Sequence, residues 1–162
     1  MHPCPCGYAT DGRSGCRCTP PQIRRYLAKI SGPLWDRLDL HVHVPALPLE
    51  TLLQDVPSES SATVRARVEA ARERQRLRYA ADGVTCNAQL RPRLLKRYCR
   101  LSSEAEQLLR RAATTWHWSA RAYHKIVKLA RTMADVAGRA AISETDVAEA
   151  VQYRSLDRQM SA

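Results

Sequence analysis

Four of the six cysteines in this sequence lie within its first 18 residues, as two Cys-x-Cys pairs. Cys4 and Cys6 form the first pair, Cys16 and Cys18 form the second, and nine residues separate the pairs. Structural zinc sites use thiolates in a tetrahedron, commonly supplied as two short pairs joined by a loop. The pattern therefore predicts a structural zinc site. The alternative is four reduced thiols, or a knuckle that pairs its thiols only under oxidation.

Two arginines occupy positions where a phosphate would be a natural partner. Arg37 lies between the end of one predicted helix and a predicted strand, and Arg121 lies in the first turn of another helix. A cation in a first turn opposes the helix dipole, and an anion shared with the helix N-terminus relieves that opposition. The alternative is a solvated arginine or a local salt bridge, which the sequence alone favours.

Other clusters give weaker signals of chemistry. His41 and His43 share one face of the predicted strand with Asp39, which suggests either a metal site or, more simply, a polar strand face. No Ser-His-Asp or Cys-His arrangement stands out, and no pair of acids suggests acid–base catalysis. Cys86 and Cys99 lie in helical surroundings and are expected to be core residues.

One segment comes close to a phosphate-binding loop. The stretch GYATDGRS, residues 7–14, has the glycine spacing of such a loop but carries Arg13 where a lysine is required. A phosphate loop also needs a strand before it and a helix directly after it. Neither is predicted here, so the segment is not expected to bind nucleotide.

The charge balance points to a polyanionic partner. The formal net charge is +10 and the isoelectric point is near 9.8, which suits nucleic acid or nucleotide phosphate. Six arginines fall between residues 65 and 78, but Glu69 and Glu73 lie among them at helical spacing. This helix either follows a nucleic-acid backbone or presents a solvated face with internal ion pairs.

The first third of the chain is predicted to mix helix and strand. After the cysteines, residues 19–30 show helical spacing of apolar side chains, and Gly32-Pro33 ends that helix. Residues 38–44 alternate strictly between apolar and polar, with Leu38, Leu40, Val42 and Val44 on one face. This alternation predicts a strand that ends at Pro45. Such a fragment cannot close a sheet by itself.

Residues 46–62 are rich in proline and serine and are predicted to be a linker. Beyond them the sequence predicts only helices, with Ser103 and Glu106 as one capping box, Ser119 and Ser143 as further caps, and Gly138 as a terminator. The predicted fold is therefore mostly α. A short α/β piece over 1–45 is followed by the linker and by a bundle of four to five helices over 63–157.

The sequence contains no run of about 20 apolar residues that would cross a membrane, and its start lacks the pattern of a secretory signal. A cytoplasmic location is therefore expected. In such a reducing compartment, cysteines bind metal more often than they form disulfides.

Several stretches together resemble one protein family, the magnesium-chelatase-like AAA+ ATPases of the ComM/YifB competence-protein type. They are PCPCGY, CRCTPPQIRRYLAKISGPLWDRLDLHV, NAQL and SARAYHKIVKLARTMADVAG followed by ISETDVAEAVQYR. The resemblance covers residues 3–154 and corresponds to the C-terminal part of such proteins. It implies that residues 1–45 end an AAA+ core and that residues 63–157 form the helical lid domain.

The resemblance implies specific roles. Family members look like ring-forming, hexameric motors that bind ATP between neighbouring subunits and handle DNA. Arg37 matches the arginine finger that reaches the next subunit's ATP, and Arg121 matches the sensor-2 arginine that touches the γ-phosphate. The implied partners are the upstream AAA+ core, neighbouring subunits and DNA.

The chain also departs from the family pattern. The Walker A and Walker B motifs of the family lie upstream of the stretch compared. His2 stands where the family usually has a sensor-1 asparagine, and His43 stands where it often has an acid. The expectation is a fragment that supplies an arginine finger and a lid arginine but does not hydrolyse ATP alone. The alternative is a stand-alone, zinc-stabilised basic module that binds DNA.

Overall fold

The computed structural model describes residues 1–9, 15–53 and 58–154. Within these ranges the chain is mostly helical and contains no β-strand, which confirms the predicted fold class in its main feature. The eight helices described are α1 (Pro20–Leu27), α2 (Gly32–Arg37), α3 (Leu49–Leu53), α4 (Ser61–Tyr79), α5 (Pro92–Tyr98), α6 (Ser103–Thr115), α7 (Ala120–Val136) and α8 (Glu144–Gln152). Two short 3₁₀ turns, Ala80–Asp82 and Asn87–Gln89, lie between α4 and α5.

The chain divides into two compact units. Unit 1 comprises Met1–Leu38 and Val42–Pro57, and unit 2 comprises Asp39–His41 and Ser58–Ala162. Unit 1 therefore holds the cysteine pairs and α1 to α3, whereas unit 2 holds α4 to α8. No helix among the described residues is both long enough and apolar enough to span a membrane.

Unit 1 is built on short helices. Two prolines open α1, where their missing N–H groups cost nothing, and Thr19 N–H donates to the Gln22 side chain at 2.8 Å. Another proline opens α2, whose Trp35 is buried. The predicted linker contains the one-turn helix α3. Aliphatic side chains in the described part of this unit remain exposed: Leu34, Leu38, Val42, Val44, Leu47, Leu49 and Leu53.

The strand predicted over residues 38–44 is wrong for this structure. A strand requires a neighbouring strand to share its hydrogen bonds. Residues 38–44 form no such ladder with any described segment. Instead, His41 N–H donates to the carbonyl of Tyr153 at 2.7 Å, within unit 2. The predicted facing is also reversed: His41 is buried, whereas Leu40 and Val42 are exposed.

Local signals set the starts and stops of the helices in unit 2. The hydroxyls of Ser119 and Ser143 each accept a hydrogen bond from the N–H three residues later, which confirms both predicted caps. Gly138 follows α7 with φ +75°, a conformation that suits glycine, and confirms the predicted end. The cap of α6 is Ser102, one residue earlier than predicted.

The core of unit 2 is formed where α4 to α8 meet. The long helix α4 contributes only through its C-terminal half, because Val64 and Val68 in its N-terminal half are 37% and 49% exposed. Cys99 lies in the core as predicted, and Cys86 is only half-buried. The buried members of the core cluster are Tyr79, Leu90, Leu95, Cys99, Ala105, Leu109, Ala112, Ile126, Val127, Ala130, Ala134, Ile142, Val147, Ala150 and Val151.

A buried polar cluster accompanies this apolar core. Asp135 of α7 is fully buried and accepts hydrogen bonds from Arg78, Asn87 and Arg131. Arg131 also donates to the carbonyls of residues 139 and 140, both at 2.6 Å. Burial of a carboxylate with two guanidinium groups is tolerated because the partners satisfy one another's hydrogen bonds.

Candidate metal centre and candidate phosphate-contacting arginines

The first cysteine pair lies on a tight turn. Gly7 N–H donates to the carbonyl of Cys4 at 3.1 Å, and Gly7 has φ +90°. Only glycine adopts this conformation without strain. The turn places the side chains of Cys4 and Cys6 on the same side of the backbone, so their sulfur atoms lie 3.3 Å apart.

The second pair joins the first to form a cluster of four sulfur atoms. The Sγ atom of Cys16 lies 3.8 Å from that of Cys4 and 3.7 Å from that of Cys6. All four sulfur atoms, including that of Cys18, lie within 4.8 Å of one another. A tetrahedron with Zn–S bonds of about 2.3 Å has S···S edges of about 3.8 Å. A disulfide would require about 2.05 Å, and all four thiols are free.

The surroundings of the cluster suit a structural metal. Cys4 is fully buried and Cys18 is half-buried, whereas Cys6 and Cys16 are exposed. Among the residues the structure describes, these four cysteines are the one group with the composition and spacing to hold a metal ion. Four thiolates complete a tetrahedron and leave no open position for a reacting water.

Close packing separates the acidities of the thiols. The pKa of Cys6 is lowered to about 6, first by a hydrogen bond from the backbone of Tyr8 and then by the thiol of Cys4. The pKa of Cys18 is raised to about 12: a backbone hydrogen bond from Cys6 lowers it, but the Cys6 side chain, desolvation and the Cys4 charge outweigh that effect. Without a cation among them, the four sulfur atoms therefore cannot all be thiolates at neutral pH.

The histidines considered for a second metal site do not form one. Asp39 is exposed and pairs with Lys125 at 2.8 Å, His41 is buried and His43 is exposed. No cluster of three metal-binding side chains occurs around them in the described part of the chain. The near-match to a phosphate loop runs through residues 10–14, which lie outside the described residues.

Arg37 is the last residue of α2 and is exposed. The helix is held by Trp35, which is buried two residues earlier. Successive residues of a helix are about 100° apart, so residues two apart lie on nearly opposite faces. Burial of Trp35 therefore directs Arg37 outward, at the end of a helix that begins with Gly32-Pro33.

Arg121 is the second residue of α7 and is also exposed. Ser119 caps the helix, and the first turn of α7 contains no acidic residue. The neighbouring Ala122 is buried and fixes the rotation of the helix. The positive end of the helix dipole and the guanidinium therefore lie together, an arrangement that favours an anion.

Sequence reasoning missed Lys125, which lies one turn after Arg121 on the same face of α7. Its Nζ atom is 2.8 Å from Asp39, and its side chain is only 15% exposed. The i, i+4 spacing from Arg121 was the available signal. The four cysteines are brought together, whereas Arg37 belongs to unit 1 and Arg121 to unit 2.

Two family models match the chain, one after the other. The model described as "Magnesium chelatase, subunit ChlI" matches residues 1–52, and the model described as "Magnesium chelatase, subunit ChlI C-terminal" matches residues 58–154. The boundary between the two models falls at the same place as the change from unit 1 to the main segment of unit 2.

Curated proteins are also similar to this chain over nearly its whole length. The chain is 40% identical over 159 residues to the uncharacterized protein YifB of Escherichia coli and to YifB of Salmonella typhimurium. It is 38% identical over 159 residues to the competence protein ComM of Haemophilus influenzae. Each match covers 98% of this chain and 30% of the relative. The chain therefore spans less than a third of the length of these proteins.

Proposed function

We propose that this chain, which belongs to the magnesium chelatase family, supplies two phosphate-contacting arginines to an ATP-driven, ring-forming motor that handles DNA. In this proposal ATP binds between neighbouring subunits of a longer protein. Arg37 contacts the ATP of the adjacent subunit, and Arg121 contacts the γ-phosphate within its own subunit. The observation that best supports the proposal is that both arginine side chains are exposed at helix ends, inside the segments matched by the two family models.

The proposal assigns the two units different tasks. Residues 1–45 end the nucleotide-binding core, residues 46–62 link it to the rest, and residues 63–157 form a helical lid. The two-unit division of the chain supports this assignment. The exposed aliphatic side chains of unit 1 support contact with the rest of the longer protein or with a neighbouring subunit, because burying them there would be favourable.

The chemical role of each arginine follows from its charge. Phosphoryl transfer builds negative charge on the γ-phosphate oxygens, and a guanidinium that reaches them lowers the barrier. Arg121 has the additional help of the α7 N-terminus. The phosphate cradle and the ligands for Mg²⁺ would come from the remainder of the longer protein, since these two arginines supply neither.

Variants of the longer protein test this function. Arg37→Ala is expected to reduce ATP turnover by about 10³-fold or more while nucleotide affinity changes little. Arg25→Ala serves as the control, because Arg25 is an exposed arginine in the last turn of α1. Turnover by Arg37→Ala at the control's rate would remove Arg37 from the finger role.

Mixed rings test whether the two arginines act across a subunit boundary. Arg37→Ala and Arg121→Ala subunits are each expected to be inactive alone. Where an Arg37→Ala subunit binds ATP next to an Arg121→Ala subunit that offers its intact Arg37, the first subunit supplies its intact Arg121 and the site is complete. Mixing should therefore restore part of the turnover. If both arginines served the same subunit's ATP, mixing would restore nothing.

We also propose that the four clustered cysteines hold one structural zinc ion in the reducing environment of the cytoplasm. The S···S distances of 3.3 to 3.8 Å among Cys4, Cys6 and Cys16 support this assignment, because they are close to the edge of a Zn(Cys)₄ tetrahedron, and all four sulfur atoms lie within 4.8 Å of one another. Protein purified without chelator should contain about one zinc per chain. Cys16→Ser/Cys18→Ser should lose the zinc and Cys86→Ser should keep it, and metal-free wild-type protein would contradict the proposal.

A second candidate function is a zinc-stabilised module that binds DNA without ATP. The net charge of +10 favours it. Salt-sensitive DNA binding by this chain without nucleotide would support that function. DNA binding that requires ATP and the rest of the longer protein would support the motor.

A further inference from the structure

Helix α5 and its flanks carry a concentration of positive charge with no negative charge. Between residues 91 and 100 there are five basic residues and no acidic ones: Arg91, Arg93, Lys96, Arg97 and Arg100. All five are exposed. We call this set the α5 basic face.

The cations of this face are largely uncompensated. Arg97 lies 3.5 Å from Asp82, a carboxylate that also accepts a hydrogen bond from Tyr98. The other four side chains make no ion pair or hydrogen bond within the residues that the structure describes.

The six arginines of α4 differ in their surroundings. Arg67 pairs with Glu59, Arg76 with Glu73 and Arg78 with Asp135. Arg74 donates to the carbonyl of Asp135 at 3.0 Å. Most of the charge on α4 is therefore used inside the chain, whereas that of the α5 basic face remains available.

The α5 basic face is held on a firm support. Leu95 and Cys99 are buried in the core of unit 2, and the ring of Tyr98 packs edge-on against Tyr79 with centroids 5.0 Å apart. Because this side of α5 is anchored in the core, the opposite side presents its cations in a defined arrangement. Binding therefore needs no ordering of the helix backbone, and only the exposed side chains lose rotamer freedom.

The chemistry of the face selects the kind of partner. Four of its five cations are arginines, whose planar forks bind phosphate through paired hydrogen bonds. Helix α5 has seven residues and is about 10 Å long. This length spans about three phosphates of one DNA strand, which are spaced about 3.4 Å per nucleotide along the axis. A membrane surface would require exposed apolar residues beside the cations, but Leu94 is half-buried and Leu95 is buried.

We propose that the α5 basic face binds the phosphate backbone of nucleic acid without reading its sequence. The proposal takes the DNA substrate from the proposed motor function but does not depend on Arg37 or Arg121. Binding by this face is electrostatic, so it should be salt-dependent and tolerant of sequence.

The test measures binding of this chain to fluorescent single- and double-stranded DNA of mixed sequence between 50 and 200 mM salt. The test variant is Arg93→Gln/Lys96→Gln/Arg100→Gln. The control is Arg65→Gln/Arg72→Gln/Arg111→Gln, which removes the same charge from exposed arginines elsewhere in unit 2. The test variant is expected to bind about tenfold more weakly or worse. For duplex DNA, the slope of log K against log[salt] should be about 2.7 units shallower for the test variant than for wild type, because three phosphate contacts are lost. The slope of the control variant should stay near that of wild type.

Every outcome bears on the proposal. Equal losses in both variants would overturn it, because they would show a net-charge effect without a local site. Unchanged binding by the test variant would also overturn it, as would binding only to phosphatidylserine vesicles or acidic protein and not to DNA. DNA-free ATP turnover of the longer protein carrying the test substitutions reports separately on the motor. Circular dichroism confirms that each variant is folded.

Discussion

Arg78 and Asp135 lie 57 residues apart in the sequence and join the C-terminal half of α4 to the C-terminal half of α7. Nη1 of Arg78 donates to Oδ2 of Asp135 at 2.9 Å, and Nη2 donates to the other carboxylate oxygen. The carboxylate is fully buried and the arginine side chain is 20% exposed. Hydrogen bonding to Asp135 raises the pKa of Arg78 further above its ordinary value. The pair therefore fixes the relative position of two helices of the predicted lid.

Removal of this carboxylate should be costly. Asp135→Ala leaves Arg131 buried with its charge uncompensated, and we expect a loss of about 3–5 kcal/mol in the free energy of unfolding. Arg76→Ala is the control, because Arg76 and Glu73 form an exposed pair worth less than about 1 kcal/mol. Urea denaturation measures both. Similar small losses would show that the buried cluster is not critical to stability.

Asp146 should make stability depend on acid. Burial alone would raise the pKa of this carboxyl, but hydrogen bonds from Arg139 and Ser143 outweigh burial and lower it below its ordinary value near 3.8. A lowered pKa in the folded state adds stability that is present above about pH 4 and is lost as the pH falls through the folded-state pKa. Asp146→Asn should therefore be less stable than wild type by about 1 kcal/mol at pH 7, because its hydrogen bonds from Arg139 and Ser143 are weakened.

Thermal midpoints measured from pH 7 down to pH 2.5 test this expectation. The difference between wild type and Asp146→Asn should shrink as the pH falls below 4. Glu144→Gln, an exposed first-turn change in the same helix, is the control. A gap that stays constant with pH would show that the ionised carboxylate is not responsible.

Metal removal should affect unit 1 more than unit 2. Structural zinc contributes folding free energy directly, and the cysteines belong to unit 1. After treatment with a strong chelator, we expect faster amide exchange around Cys4 and Cys18 and little change in α7. Added zinc should reverse the effect. Amide exchange rates around Cys4 and Cys18 that are unchanged by chelation would argue against a structural metal.

The cap of α7 should matter for both stability and the position of Arg121. The Ser119 hydroxyl accepts a hydrogen bond from Ala122 N–H at 3.1 Å. Ser119→Ala should cost about 1 kcal/mol, whereas Ser119→Gly should cost a few tenths, because glycine is a better N-cap than alanine. Thermal denaturation at constant pH distinguishes the two. Wild-type stability in Ser119→Ala would show that the cap hydrogen bond is not a source of stability.

Much of the helical architecture could be predicted because its signals are local. The caps Ser119 and Ser143 and the terminator Gly138 act within one turn of their helices. The cap of α6 is Ser102 and not the predicted Ser103. The two serines are adjacent and have the same side chain, so the local pattern does not distinguish them. The cysteine cluster was also predictable, since two short pairs on one loop can meet without help from distant elements.

Other features could not be read from local patterns. The alternation over residues 38–44 is typical of a strand, but a strand exists only where another segment pairs with it. His41 instead donates its N–H to Tyr153, more than a hundred residues away, and is buried. The charge of α4 was equally ambiguous until the structure paired Arg78 with Asp135, whereas among the described residues only Arg97 of the α5 basic face has a carboxylate partner.

The sequence by itself determined the family, the helical character, most helix ends and the grouping of four thiols. Each of these depends on residues close together in the chain or on the order of motifs along it. Only the tertiary structure decided which cations are neutralised, which histidine is buried and whether the alternating segment is a strand. Those outcomes depend on the free energy of contacts between segments far apart in the chain, and a contact of that kind has no local period in the sequence.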